Sequence, residues 1–371
     1  MSAKNVLGII FSNAYDEALP QLTALRTMGS IPFAARYRLI DFPLSNMVNS
    51  GITKVGVITK SNYRSLMDHI GTGKSWDLSR KREGMTLLPP YDTPGATGIT
   101  TGKADALYGC ISYISNSKKE HVLMTDCNLI CSMDYEKLIK AHIANDADAT
   151  IAYFKGKPSE LENGTELIMN EDGRIVSTTL VDCYSGNVNC SAKVMVIRRT
   201  LLERLLHEAH SAKIVDLEPI ISKNVKHLKI YGYEVTGFAR VLDSLQSYYD
   251  ISLELLKLEN RKELFDADRP VYTKVRDQIP AVYGIGANVK NSLIADGCHI
   301  NGEVENCILF RGVTVEKGAK IKNSIIMQDT VVGENSSLNC VIIDKAVVVK
   351  SNKTLCGDSS YPIYIGKGIV I

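Results

Sequence analysis

The chain has 371 residues, 45% of them hydrophobic and 23% charged, an ordinary soluble globular composition that suits two domains or one large domain with an appendage. Forty-three Lys and Arg against 41 Asp and Glu leave a net charge of +2, which excludes a strong field drawing the whole molecule onto nucleic acid or an anionic membrane but leaves room for a local basic patch. No apolar run approaches the roughly 18 to 20 residues of a spanning helix, and Val6 to Phe11 is too short for a signal-peptide core. The nine cysteines, odd in number and spread from Cys110 to Cys356, read as reduced thiols, so the expectation is a cytoplasmic protein without nucleic-acid or membrane partners. The first two-thirds alternates β-rich runs with amphipathic stretches. Val6 to Phe11 predicts a strand, Val55 to Thr59 a second one followed by a helix through His69, and His121 to Thr125 a third. A helix is predicted from Tyr135 to Ala144, then strands at Thr150 to Phe154, Lys193 to Arg198 and Leu228 to Val235. This order predicts a mostly parallel sheet with helices on both faces. From Leu242 one long helix is predicted, carrying Leu245, Tyr248, Tyr249, Leu253, Leu256 and Leu258 at helical spacing and ending before Asp266 to Pro270.

An internal repeat begins near Val289. Asn291-Ser-Leu-Ile294, Asn306-Cys-Ile-Leu309, Asn323-Ser-Ile-Ile326 and Asn339-Cys-Val-Ile342 share one pattern, with starts 15, 17 and 16 residues apart. That period is close to three six-residue sides of a triangular β-helix coil, whose branched apolar residues stack inward while Gly and Asn turn the corners. Val289 to about Leu355 therefore reads as roughly four coils. A small antiparallel sandwich is the competing reading, but it requires hairpin turns and longer alternating strands. Cys298, Cys307 and Cys340 fall in the repeat as small buried thiols.

At Ala34 to Gly51 the sequence reads Ala-Ala-Arg-Tyr-Arg-Leu-Ile-Asp-Phe-Pro-Leu-Ser-Asn-Met-Val-Asn-Ser-Gly. His69-Ile70, Gly73 and Trp76-Asp-Leu78 follow, then Gly102-Lys-Ala-Asp-Ala106. These segments closely resemble the sugar-phosphate nucleotidyltransferases that make ADP-glucose, the glucose-1-phosphate adenylyltransferase family, and with the β-helix tail the resemblance spans nearly the whole chain. It implies a Rossmann-like, GT-A-like α/β nucleotidyltransferase domain over residues 1–242, a helix and linker over 243–288, and a left-handed parallel β-helix of hexapeptide repeats over 289–371. In that family a sugar 1-phosphate oxygen attacks the α-phosphorus of ATP and expels pyrophosphate, so positioning and charge neutralisation carry most of the catalysis.

The chain departs from the family where that chemistry is done. Aligned through Leu22-Thr23 and Arg38 to Asp41, the phosphate-binding loop G-G-x-G-T-R-L falls on Asn13-Ala-Tyr-Asp-Glu-Ala-Leu19. Its glycines are gone, Ala18 replaces the Arg, and Asp16 and Glu17 oppose a triphosphate. In the R-A-K-P segment Arg26 is kept, but Met28 replaces Lys and Gly29 replaces Pro. The two metal-binding aspartates fall on Asn128 and Val241, with Asp126 and Asp243 each two residues away as substitute metal ligands if the loops shift. No E-K-P segment supplies a lysine for the sugar phosphate, since Arg174 to Ser177 continues as Thr-Thr-Leu-Val-Asp182. Losing one preorganised group that stabilises transition-state charge typically costs about 2.7–4 kcal/mol, and here several are lost together. The resemblance is thus to the GlgD-type regulatory subunit, which needs no cofactor of its own. Its implied partner is a GlgC-type catalytic subunit, which carries the Mg²⁺, in a heterotetramer, with a homo-oligomer of the chain alone as the other possibility.

Other signals are weaker. Gly71-Thr-Gly-Lys-Ser75 resembles the end of a P-loop, but Asp68 stands at its first glycine and a helix precedes it. Thr101-Gly102-Lys103 has Ala104 where Ser or Thr is required, and Cys127 and Cys131 lack a second ligand pair. Arg36 and Arg38 are candidates for a phosphorylated effector, with a structural ion pair as the other reading. Asp41, Ser45 and Asn46 are expected to organise packing, while Gly102 and Asp105 are candidates for a residual nucleotide pocket. Three function classes follow. The leading one is a catalytically weak regulatory subunit; the second is an active adenylyltransferase using Asp126 and Asp243; the third is a hexapeptide-repeat acyltransferase, disfavoured because His299 is the only histidine after Val289.

Overall fold

The computed structural model describes residues 3–14, 16–89, 102–156, 164–180 and 187–371. Tyr15, Thr101, Val181 and Asp182, which the sequence reading touches, lie outside the described residues. The N-terminal unit opens with β1 (Val6–Phe11), α1 (Pro20–Thr23), the short pair β2 (Pro32–Phe33) and β3 (Tyr37–Arg38), and α2 (Asp41–Asn49). It continues with β4 (Lys54–Ile58), α3 (Arg64–Ile70), β5 (Gly84–Leu88), α4 (Lys103–Gly109), α5 (Ile111–Asn116), β6 (His121–Asp126), β7 (Leu129–Cys131) and α6 (Tyr135–Ala144). Then come β8 (Ala149–Gly156), β9 (Thr165–Met169), β10 (Ile175–Leu180), β11 (Val188–Arg198), α7 (Arg199–Ser211), α8 (Leu217–Asn224), β12 (Ile230–Glu234) and β13 (Ala239–Val241).

The main sheet runs β10-β9-β11-β6-β1-β4-β5, with β8 and β12 attached beside β11. Strands β6, β1, β4 and β5 are parallel, but β11 is antiparallel to β6, β8 and β9. The sheet is therefore mixed, not mostly parallel as the sequence predicted: β11 follows a strand-rich excursion rather than a crossover helix, and such an excursion can return in the opposite direction. The unbroken apolar run of β1 follows from burial on both faces. Val6 and Ile10 join the core on the α2 and α6 side, while Leu7, Ile9 and Phe11 join the core formed with α4, α7 and α8. Gly8 permits the closest approach of α2, since a Cβ there would lie 2.4 Å from Met47 Sδ.

The predicted long helix is two helices, α9 (Leu245–Glu254) and α10 (Leu258–Leu264). A capping box of Ser244 and Ser247 starts α9. The chain turns at Leu255–Lys257 because side chains satisfy its last carbonyls: Asn260 Nδ2 donates to Glu254 O at 2.9 Å, and Arg261 Nη1 donates to Leu255 O and Leu256 O.

The C-terminal unit is a left-handed parallel β-helix built from three five-stranded parallel sheets. It has five coils rather than four, and its first strand, Val282–Tyr283, already pairs with His299–Ile300 inside the segment predicted as linker. The asparagines of the repeat form a ladder along one corner: Asn291 Nδ2 donates to Asn306 Oδ1, Asn306 to Asn323 and Asn323 to Asn339, at 2.7, 3.2 and 3.0 Å. The first three adopt left-handed φ of 42°, 54° and 45°, which Asn tolerates better than most residues. The fourth repeat is offset by one residue from the sequence pattern. Ile325 pairs with Ile342, so the corner with positive φ is Cys340 and not Asn339.

The two units share one core, in which Ile308, Phe310, Ile325, Met327 and Ile342 of the β-helix cluster with Phe33, Tyr248 and Tyr249. A buried bidentate ion pair crosses this junction: Arg26 Nη2 lies 2.8 and 2.7 Å from the two carboxylate oxygens of Asp344. Tyr364 donates to the same carboxylate at 2.9 Å.

Candidate functional site

The C-terminal ends of β1 and β4 meet the starts of α4 and α8 and the bulge of β11 around a cavity of about 360 Å³. Its wall includes Phe11, Asn13, Lys60, Lys103, Lys193 and Glu218. Such a crevice at strand ends is where an open α/β sheet holds its ligand.

The loop after β1 is closed on itself. Asn13 Nδ2 donates to Asp16 Oδ2 at 2.6 Å, the Met28 N–H donates to Asp16 Oδ1 at 2.7 Å, and Thr23 Oγ1 donates to Asp16 O at 2.6 Å. The Lys60 N–H is taken by Asn13 Oδ1 at 2.9 Å. The side-chain oxygens of Asn13 and Asp16 thus take the amides of Lys60 and Met28, tying the loop to the segments beside it. Burial pushes the Asp16 carboxyl up to about 6, against the lowering effect of its bonds from Asn13 and Met28. Ala18 adds no positive charge, and Met28 is buried in the core.

Asn128 and Val241, where the resemblance leads to the expectation of the family's metal-binding aspartates, come together. Strand β13 pairs with β7, placing Val241 opposite Leu129. Leu242 N donates to Asn128 O at 2.8 Å, and Asn128 Nδ2 returns a bond to Leu242 O at 3.2 Å. An amide turned to the backbone and a valine provide no carboxylate for a hard divalent cation. The substitutes do not restore the site. Asp126 is 1% exposed and its Oδ2 lies 2.6 Å from Lys103 Nζ, while Asp243 lies on the turn into α9, its N–H bonded to Ser247 Oγ at 3.1 Å. Among the described residues no group of three His, Cys, Asp or Glu is placed to hold a metal ion. The residues present do not fit a catalytic Mg²⁺: an ammonium, Lys103, stands on the buried Asp126 carboxylate.

Three residues of this cavity escaped the sequence reading as site residues. Lys103 projects from the start of α4. Lys193 sits in a bulge of β11, where the register against β8 jumps between Ser191 and Met195, and holds φ at 56°. A bulge re-aims its side chain, and left-handed φ on a β-strand lysine is a strain that surroundings must maintain. Its Nζ donates to Thr165 Oγ1 at 3.1 Å and lies 3.6 Å from Glu218 Oε1, as does Lys103 Nζ. Burial alone would raise the Glu218 carboxyl, but Lys103 and Lys193 hold it below its ordinary value. Burial lowers the Lys193 ammonium, with Glu218 opposing. The visible sequence signal was a lone lysine inside a predicted strand, which reads as an outward-facing residue.

Gly102 and Asp105 are separated by the structure. Gly102 lines the cavity, but a Cβ there would lie 2.3 Å from Val215 O, so close backbone packing requires the glycine. Asp105 lines a different cavity with Tyr108, His210 and Lys213. Arg36 and Arg38 diverge as well. Arg38 is buried, with Nη1 donating to Ser65 O at 2.6 Å and its N–H to Asp41 Oδ2 at 3.0 Å. Arg36 is exposed over the Tyr37 ring at 5.9 Å. It faces the β-helix residue Arg311, 5% exposed, whose Nε and Nη2 have no hydrogen-bond partner among the described residues. Nearer Arg26 and Asp344, burial, reinforced by Arg38 and Arg26, pushes the Lys345 ammonium down to about 6. Asp41, Ser45 and Asn46 serve packing: Asp41 Oδ1 meets His69 Nε2 at 2.6 Å, Tyr272 N donates to Ser45 Oγ, and Asn46 joins Cys131 O to Met133 N.

Comparison with known proteins agrees with this architecture. Residues 8–177 match the nucleotidyl transferase family and residues 281–361 the GlmU-like C-terminal hexapeptide family, which defines a nucleotidyltransferase-type domain carrying a hexapeptide β-helix. Over all of its length and 98% of the relative's, the chain is 36% identical to the glycogen biosynthesis protein GlgD of Bacillus subtilis strain 168. It is 33% identical to a glucose-1-phosphate adenylyltransferase of Clostridium perfringens strain SM101, covering 89% of this chain and 86% of that one. It is also 33% identical to that of Fervidobacterium nodosum, covering 94% and 84%. The chain belongs to the glucose-1-phosphate adenylyltransferase family.

Proposed function

We propose that this chain is a catalytically weak regulatory subunit of glucose-1-phosphate adenylyltransferase in bacterial glycogen biosynthesis, working in the cytoplasm beside a GlgC-type catalytic chain. The observation that carries the reading is the buried pair of Lys103 and Asp126 next to Asn128 and Val241, where the family's catalysts need carboxylates for a metal. Full-length similarity to a protein named for glycogen biosynthesis supports the pathway. Mg²⁺ belongs to the catalytic partner in this reading, and the assembly is a heterotetramer. A regulatory chain of this kind acts by favouring one state of its partner, which needs a coupling of about 1–3 kcal/mol, or 5- to 150-fold.

A phosphorylated effector fits the basic junction between the units. Arg36 and Arg311 offer guanidinium donors, and a polyanion would satisfy the unpaired nitrogens of Arg311. No helix among the described residues is long and apolar enough to cross a membrane.

The test is co-purification with a GlgC-type chain followed by an assay of ATP plus glucose 1-phosphate for pyrophosphate. The expected result is a stable complex with turnover or effector response changed at least fivefold relative to the catalytic chain alone. Absence of any complex, or an unchanged catalytic chain, would contradict the proposal.

A further inference from the structure

The asparagine ladder of the β-helix ends between two cysteines. Asn291, Asn306 and Asn323 turn three successive corners with left-handed φ, and at the next corner the residue in that conformation is Cys340, with φ of 52°. Asparagine tolerates this region through its short polar side chain, whereas cysteine is strained there. The last amide of the ladder, on Asn339, then meets sulfur on both sides. Its Nδ2 faces Cys356 Sγ at 3.7 Å, and its Oδ1 lies 3.7 Å from Cys340 Sγ.

The stacking of the coils brings these thiols within crosslinking range. Asn339 pairs with Cys356 in the parallel ladder, so Cys340 lies one residue further along the fourth coil and Cys356 one strand away in the fifth. A step of about 3.8 Å along the chain and one of about 4.8 Å between strands, taken at right angles, set the two Cα atoms about 6 Å apart. Disulfides span Cα separations of about 4.4–6.8 Å. The two thiols differ in access. Cys356 is exposed, whereas the other seven free cysteines among the described residues are buried. Cys340 is 6% exposed and lies against Tyr249 of α9.

We infer that Cys356 and Cys340 are a reversible redox pair, in which a hydroperoxide oxidises Cys356 and Cys340 closes the disulfide. With hydrogen peroxide, the Cys356 sulfur takes one oxygen to give a sulfenic acid, and the first water leaves. The Cys340 sulfur then attacks the Cys356 sulfur: the S–S bond forms, the S–O bond breaks, and the hydroxyl leaves with the Cys340 proton as the second water. Two thiols thus pass two electrons to one peroxide. The link ties the fourth coil to the fifth and draws the Cys340 sulfur from Tyr249, whose hydroxyl donates to Asn323 O at 2.6 Å across the junction of the units. In a reducing compartment such a bond is transient, which suits a sensor and not a structural staple. The inference does not rest on the regulatory role, and its failure would leave that reading standing.

The test treats the reduced full chain with hydrogen peroxide, blocks the remaining thiols with iodoacetamide and maps tryptic peptides by mass spectrometry without reduction. Cys340 and Cys356 fall in separate peptides, residues 323–345 and 354–367. The expected product is the crosslink of these two, at least tenfold more abundant than any other disulfide and lost on adding dithiothreitol. Cys340→Ser is expected to stop at the Cys356 sulfenic acid, which dimedone captures. Cys356→Ser is expected to leave Cys340 unoxidised at the same dose, because the exposed sulfur that reacts first is gone. A Cys356 sulfinic acid without a crosslink, a Cys356–Cys356 link between two chains as the main product, or equal oxidation of Cys340 in Cys356→Ser would each overturn the inference.

Discussion

Lys103 Nζ lies 2.6 Å from Asp126 Oδ2 at the end of β6, and both groups are withdrawn from water. An ion pair of this kind is costly to break from one side, because the remaining charge stays buried. Lys103→Met should destabilise the chain at pH 7 by about 3–5 kcal/mol, measured by urea unfolding. Burial already raises the Asp126 carboxyl, with Lys103 opposing. A carboxyl raised in the folded state contributes relative stability that is full below its unfolded value and lost as pH rises through the folded value. The deficit of the variant should therefore shrink on acidification. A deficit independent of pH would show that Asp126 is not its source.

The Arg26–Asp344 pair tests how the two units are joined. Asp344→Ala leaves a buried guanidinium and frees the Tyr364 hydroxyl, with an expected loss of about 3–5 kcal/mol. Because the pair links the loop after α1 to the last coils, calorimetry of the variant should show the two units melting apart. One unchanged transition would mean that the shared apolar core alone couples them.

The asparagine ladder separates backbone from side-chain effects. Asn323 bonds to asparagines on both sides while holding φ at 45°. Asn323→Ala should cost about 1–2 kcal/mol from lost hydrogen bonds and left-handed strain together. Asn323→Gly should cost less because glycine accepts that φ. Thermal melts of the two variants check the order.

His142 gives a pH dependence of the opposite sign to Asp126. It is 1% exposed, stacks edge-on against His121 at 5.0 Å, and bonds through Nδ1 to Thr150 Oγ1 at 2.9 Å. Burial, then His121 and Arg198, push its imidazolium down to about 4 from 6.5. The unfolded chain binds this proton first, so the stability is fully present above pH 6.5 and lost as pH falls towards 4, by roughly 3 kcal/mol in all. His142→Leu should flatten this slope in urea titrations between pH 7 and 4.

Much of the architecture was legible because period and punctuation are local properties. Strand β1 announces burial on both faces by an unbroken apolar run, α6 by its spacing, and the β-helix by a repeat of 15 to 17 residues. The direction of β11 was not legible, since strand polarity is decided by the route of the preceding chain and not by its own residues. The offset of Asn339 was hidden for a similar reason: a one-residue slip leaves the pattern of Asn and Ile almost unchanged, and only the pairing of Ile325 with Ile342 shows it. At the site, the sequence shows by position that the loop after β1 lacks glycines, and it places Asn128 and Val241 where the resemblance implies carboxylates. The compensating groups could not be read this way. Lys103, Lys193 and Glu218 come from three separate elements, and only the fold reveals that two ammoniums and a carboxylate meet.

The central claim is that internal charges occupy the places of metal and triphosphate, leaving a family fold without its chemistry. The most direct measurement is turnover of the isolated, purified chain with saturating ATP, glucose 1-phosphate and Mg²⁺, followed by ADP-glucose and pyrophosphate release. The account predicts a rate at least 1,000-fold below that of a catalytic relative, on the order of the loss from one or more transition-state charge stabilisers. Turnover within about tenfold of such a relative, a difference of only about 1.4 kcal/mol in barrier, would contradict it and would mean that Asp126 and Asp243 are drawn together when substrate binds.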